Sequence, residues 1–256
     1  MSRRGIPRFP LAALALVAAC RDPAAGPAKL SGWAERPVYR VLRADVAIDV
    51  DGSLDEPAWR RAFELPLVDS LSGAPARYPT VARLLWDDRY LYVSFEGKDD
   101  QVFARAGRRD GDDVWEDEVV ELFVDAAGTG RGYVEIDVTP ANVVFQARFD
   151  HWRSDLSAAR TYRSGARTAA RVVRDAQGDR GFTVEMAVPL ESLSSARPRP
   201  GERWRANLYR IEGVNRLAVK EGQAFSPPYR ADFHALDRFG WLVFDGGPAP
   251  PARPRR

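Results

Sequence analysis

Val119-Val-Glu-Leu-Phe-Val124, Tyr133-Val-Glu-Ile-Asp-Val138 and Val143-Val-Phe-Gln-Ala-Arg-Phe149 are three runs rich in β-branched and aromatic residues. Asp125 with the Gly128/Gly130 turn separates the first two, and Pro140-Ala-Asn142 separates the last two. Side chains alternate across a strand, so Val120, Leu122 and Val124 share one face and Glu121 lies on the other. In the second run Val134, Ile136 and Val138 share a face, opposite Tyr133, Glu135 and Asp137. A helix would repeat at 3.6 residues, and the period here is two.

The same period extends outward. Towards the N-terminus, residues 81–86 and 90–96 flank Asp87-Asp88 and read as a hairpin. Towards the C-terminus, residues 167–174, 181–188, 203–211 and 241–244 are further strand candidates. Only residues 56–63, where Asp55 precedes Pro57, and residues 190–194 read as short helical turns. The expectation is an all-β chain, an antiparallel β-sandwich with one or two short helical turns.

The ends read differently. Arg3, Arg4 and Arg8 precede the apolar stretch 9–19, and Val17-Ala-Ala-Cys20 follows without a break. A basic segment leading into an apolar one shorter than the roughly 20 residues of a bilayer span reads as a secretory signal. The small residues before Cys20 resemble a bacterial lipobox, in which the cysteine is acylated and opens the mature chain. Residues 1–19 are thus expected to be a lipoprotein signal, 20–37 a Pro/Ala/Gly-rich tether, 38–245 the domain and 246–256 a disordered tail. Arg21 is not the aspartate that retains some bacterial lipoproteins at the inner membrane, which favours the outer membrane in a two-membrane host.

The chain has 38 basic and 36 acidic side chains, and three arginines but no acid fall in the signal. The domain is therefore close to neutral, and without a basic patch interleaved with aromatics it gives no sign of nucleic-acid binding. Cys20 is the single cysteine, so no disulfide within the chain supports the fold.

If the three central strands are neighbours, Glu121, Glu135, Asp137, Gln146 and Arg148 make a polar row across one sheet. It reads either as an ordinary solvated face or as a site. Trp115, after the acidic run Asp110-Gly-Asp-Asp113, favours the site. A sugar needs a flat apolar surface for its C–H face and planar polar groups for its hydroxyls.

Four segments resemble family 9 carbohydrate-binding modules, in order along residues 47–244. They are Ile48-Asp-Val-Asp-Gly-Ser-Leu-Asp-Glu-Pro-Ala-Trp59, Ala82-Arg-Leu-Leu-Trp-Asp-Asp-Arg-Tyr-Leu-Tyr-Val93, Asp113-Val-Trp-Glu-Asp-Glu-Val-Val-Glu-Leu-Phe-Val-Asp125 and Asp232-Phe-His-Ala-Leu-Asp-Arg-Phe-Gly240. The resemblance implies a β-sandwich that clamps a glucose- or xylose-type sugar between two aromatics. It assigns the first clamp to Trp115, a hydroxyl-binding carboxylate to Glu121 and the second clamp to Phe233, with Tyr229 close by. The family's second clamp is usually a tryptophan, and phenylalanine offers less area and no N–H. The family's binding arginine aligns near Asn142, with Arg148 and Arg210 as stand-ins. The family also binds structural Ca2+, for which Asp49, Asp51 and Asp55 are candidate ligands; they read equally as turn formers around Gly52.

Enzyme chemistry finds little footing. His151 and His234 belong to no zinc spacing, and Cys20 is assigned to acylation. No catalytic residue or required cofactor is expected. The expected function is non-catalytic binding of a saccharide or polysaccharide at the cell envelope, with the membrane reached through the lipid anchor. The alternatives are an envelope interaction protein reusing the fold, and an accessory module associated with glycoside hydrolases.

Overall fold

A computed structural model describes residues 36–214 and 219–247. The signal stretch, Cys20, most of the tether and most of the C-terminal tail lie outside the described residues. The strands are β1 (Val38–Arg43), β2 (Leu65–Pro66), β3 (Val68–Asp69), β4 (Thr80–Trp86), β5 (Tyr90–Lys98), β6 (Val119–Asp125) and β7 (Tyr133–Val138). They continue as β8 (Val144–Phe149), β9 (Arg167–Asp175), β10 (Gly178–Pro189), β11 (Arg203–Val214), β12 (Val219–Ala224) and β13 (Gly240–Phe244). Two four-residue helices, α1 (Leu156–Ala159) and α2 (Leu190–Leu193), and 3-10 turns at Val114–Glu116 and Leu236–Arg238 complete the fold. No helix among the described residues is long and apolar enough to cross a membrane.

The strands follow the order β8-β7-β6-β11-β13-β1-β4-β5-β10-β9 in one curled, sandwich-like sheet. The strand β1 joins its two layers. Residues 38–41 pair with β13 and residues 42–43 pair with β4, both parallel, while the other ladders are antiparallel. A strand that changes layers turns a corner of the sandwich.

The main core lies between the layers. Val120, Leu122, Val134 and Ile136 of the first layer are buried in one cluster with Leu84, Val93, Phe95 and Val184 of the second. The opposite face of the first layer carries a second buried cluster that includes Phe123, Tyr133, Phe145, Phe149 and Tyr209. Loops rather than a third sheet cover that cluster, and this is where the cleft forms.

Residues 56–63, expected as helical, form a series of turns with the bond from Ala62 N to Ala58 O at 3.2 Å. Side chains fix the segment instead. Trp59 Nε1 donates to Glu185 Oε1 of β10 at 2.8 Å, and Gly52 N donates to Glu185 Oε2 at 2.7 Å. Gly52 has φ +84°, a conformation that costs glycine little. The nearby aspartates serve this turn. Asp51 Oδ1 accepts from Ser53 N and Oδ2 pairs with Arg171, whereas the backbone N–H of Asp49 donates to Glu56. Asp49, Asp51 and Asp55 do not bring their carboxylates together as a metal-ligand group among the described residues.

Candidate functional site: an aromatic cleft over a buried acid cluster

A cleft of about 660 Å³ opens on the outer face of the first layer. Its floor comes from the strands: Glu121 and Phe123 of β6, Glu135 of β7, Phe145 and Phe149 of β8, and Ile211 of β11. Its walls come from four covering segments, which contribute Ser70 with Leu71, Trp115, Arg153 to Leu156, and Ala231 with Phe233 and His234.

Each wall is braced locally. Trp115 sits in the 3-10 turn with its indole edge-on to Phe145, ring centroids 4.9 Å apart at 82°. Asp113, just before that turn, is tied to Arg160 at 2.6 Å, and Asp117, just after it, is held by Arg108. Phe233 is stacked flat on Tyr209 at 4.1 Å and 5°, and Tyr209 donates its hydroxyl hydrogen to the Phe233 carbonyl at 2.9 Å. Gly222 of β12 makes room for this ring, since a Cβ there would stand 3.1 Å from Phe233 Cζ.

Beneath the rings, Glu121, Glu135 and Asp137 each direct a carboxylate oxygen to within 4.8 Å of the others. The antiparallel register pairs Glu121 with Asp137, and Glu135 follows on the same face. The row expected from the sequence is present but is not solvated: Glu121 is 2% exposed, Glu135 6% and Asp137 0%. The covering loops, which strand periodicity does not reveal, remove it from water. Both Asp137 oxygens lack a hydrogen-bond donor.

Burial raises the carboxyl of Glu121, and the charge of Glu135 adds to the effect. Burial likewise pushes Glu135 up to about 8. Asp137 is raised by burial and then by its two acidic neighbours. His234 closes one side. Arg153 N donates to the Tyr133 hydroxyl oxygen at 3.3 Å, and that hydroxyl is hydrogen-bonded to His234 Nδ1 at 2.8 Å. His234 Nε2 stands 3.8 Å from Glu135. Burial, aided by Arg153, lowers His234 to about 4 and keeps it neutral.

These shifts have a sign. Free glutamate titrates near 4.5, and between that pH and about 8 folded Glu135 keeps a proton that the unfolded chain has released. Stability therefore falls as pH rises through this interval. His234 acts oppositely below its ordinary value of 6.5, where the unfolded chain gains a proton that the folded ring refuses. Thermal unfolding of the ligand-free domain should show Tm falling by several degrees from pH 6 to pH 8.5, with a shallower slope in Glu135→Gln. A flat profile shared by both proteins would refute the assignment.

Of the site residues expected from the sequence, Trp115, Glu121 and Phe233 line the cleft. Asn142, Arg148 and Arg210 do not. Asn142 occupies the exposed turn between β7 and β8 at φ +59° and donates to Thr168 O. Arg148 and Gln146 fall on the face opposite the cleft, because Glu135 pairs with Ala147 and Asp137 with Phe145. Arg148 lies 4.7 Å over Tyr162 and donates to Ser192 O, while Gln146 accepts from Ser164 N. Arg210 shares the inward face of β11 with Leu208 and is buried between the layers. Tyr229 is 55% exposed under Arg238 and does not line the cleft. Arg153, ion-paired with Asp232 at 2.8 Å, is a lining residue that sequence reading did not single out. His234 was identifiable only as part of the closing segment.

Two acid groups among the described residues have metal-ligand geometry. In the group Asp99, Glu118 and Glu212, the Arg210 guanidinium already bonds all three acids, so that group does not fit a further cation. The group Glu121, Glu135 and Asp137, with the Asp137 oxygens unpartnered, has the hard-oxygen chemistry that suits a structural ion such as Ca2+.

Known proteins resemble this chain in sequence and in fold. An extracellular protein of Arthroderma benhamiae is 27% identical over 64% of this chain and 78% of its own length. Endo-1,4-beta-xylanase C of Paenibacillus barcinonensis is 29% identical over 56% of this chain, a stretch that spans only 12% of the xylanase. A family 9 carbohydrate-binding module of Caldicellulosiruptor kristjanssonii, solved with cellotriose, superposes with a TM-score of 0.58 at 17% identity, covering 86% of this chain and 100% of the module. A candidate carbohydrate-binding protein from Bacteroides uniformis superposes with a TM-score of 0.66 at 19% identity, covering 81% and 99%. Residues 50–209 match the family model described as "Carbohydrate family 9 binding domain-like", and the chain belongs to that family.

Proposed function

We propose that the protein is a non-catalytic carbohydrate-binding domain that holds a saccharide, or the end of a polysaccharide, in the cleft. One observation carries this reading: Trp115 and Phe233, on separate covering segments, line a single cleft whose floor holds Glu121. The rings supply stacking surface for a sugar's C–H face, and the carboxyl takes its hydroxyls. The relative solved with cellotriose supports a glucose-type ligand.

Hydrolysis is disfavoured by geometry. Glycosidase carboxyls flank the scissile bond at about 5–5.5 Å or 6.5–9.5 Å. Here Glu121 pairs with Asp137 across β6 and β7 and Glu135 follows on the same face, so the three stand side by side on one sheet rather than on two sides of a bound sugar. Cys20 and the apolar stretch before it support export and anchoring at the envelope through lipid, and Arg21 supports the outer membrane.

Calorimetric titration of the folded domain with glucose, xylose, cellobiose and xylo-oligosaccharides tests the binding reading. Saturable heat with one stoichiometric site is expected for at least one of them. Absence of heat with every sugar, from a cooperatively folded sample, would leave an interaction protein that reuses the fold.

A further inference from the structure

We infer that the cleft prefers a saccharide bearing a free primary amine, a 2-amino-2-deoxy sugar, whose ammonium group seats on Glu121, Glu135 and Asp137. This rests on the proposed saccharide-binding role of the cleft and specifies the ligand class.

The first argument is charge. The cluster places three carboxyl groups together, and Asp137, fully buried, has no donor on either oxygen. The single cation lining the cleft among the described residues, Arg153, is engaged with Asp232. His234 presents a neutral ring at 3.8 Å from Glu135. An ammonium lets these acids ionise against a paired charge, which the hydroxyl dipoles of a neutral sugar do not.

The second argument is geometry. An ammonium has three N–H donors and no acceptor, so it can serve three carboxyl oxygens at once. The three carboxylates offer one oxygen each within 4.8 Å of one another. The rings of Phe123, Phe145, Phe149 and Phe233 line the cleft beside Glu121 and Glu135. Those same rings suit a sugar that carries the charge inward.

Because burial holds the empty cluster partly protonated near neutrality, ammonium binding must release protons. That gives a signature a neutral sugar lacks.

The test is calorimetry at pH 7 in 150 mM salt with a chelator, comparing the β-1,4 dimer of glucosamine, its N-acetylated form and cellobiose. The amine dimer should bind at least tenfold more tightly than either neutral dimer, with heats that vary with buffer ionisation enthalpy as protons are released. Asp137→Asn should reduce the tenfold ratio to about threefold or less, and Glu121→Gln provides the same test should that variant fail to fold. Cellobiose binding as tightly as the amine would overturn the amine preference and leave the sugar cleft standing. No binding of any dimer would overturn both. Amine binding that survives Trp115→Ala unchanged, or that Ca2+ displaces while promoting cellobiose binding, would also overturn the inference.

Discussion

Arg210→Met should lower the unfolding free energy by about 3–5 kcal/mol at pH 8, the usual cost of leaving buried charges without their partner. The Arg210 guanidinium donates to Thr80 Oγ1 at 3.1 Å, to Lys98 O at 3.0 Å and to Asp99 at 3.0 Å, and it also bonds Glu118 and Glu212. It thereby links β11 of the first layer to β4 and β5 of the second. With methionine in its place, Asp99, Glu118 and Glu212 would face one another without a cation. The deficit should shrink towards pH 5, where glutamate accepts protons, and Glu118→Gln combined with Glu212→Gln should recover part of it. Urea denaturation at the two pH values measures this directly. A loss below about 1 kcal/mol at pH 8 would mean that the cluster is not the electrostatic joint between the layers.

Trp115→Ala should weaken saccharide binding by roughly 30- to 1000-fold, the range of about 2–4 kcal/mol for an aromatic anchor in a cleft. Trp115 is half-buried and its recorded ring contact is with Phe145, so unfolding by urea should change much less than binding does. Trp115→Phe should retain part of the affinity because it keeps a smaller stacking surface. Equal loss of binding and stability would recast Trp115 as a packing residue.

How far the sequence could be read follows from where period two holds. The strands β4 to β11 and β13 carry it plainly and were legible to within a few residues. In contrast, β1 breaks it: Val41 and Leu42 are adjacent and both buried because the strand changes layers between them. The short β2 and β3 have no room to show a period.

The site was half legible for a related reason. Trp115, Glu121 and Phe233 stand in sequence motifs, and local patterns locate them. Placing Arg148 and Arg210 requires the register of β8 on β7 and of β11 on β6, which no local pattern contains. The polar row mixed two faces: Glu121 and Glu135 line the cleft beside Phe145 and Phe149, while Gln146 and Arg148 point the other way.

A crystal structure of the domain with a bound disaccharide tests the central claim most directly. The account predicts a sugar ring between Trp115 and Phe233, with a hydroxyl or amine on the Glu121 carboxyl. A sugar seated elsewhere, with the cleft left to solvent, would contradict it.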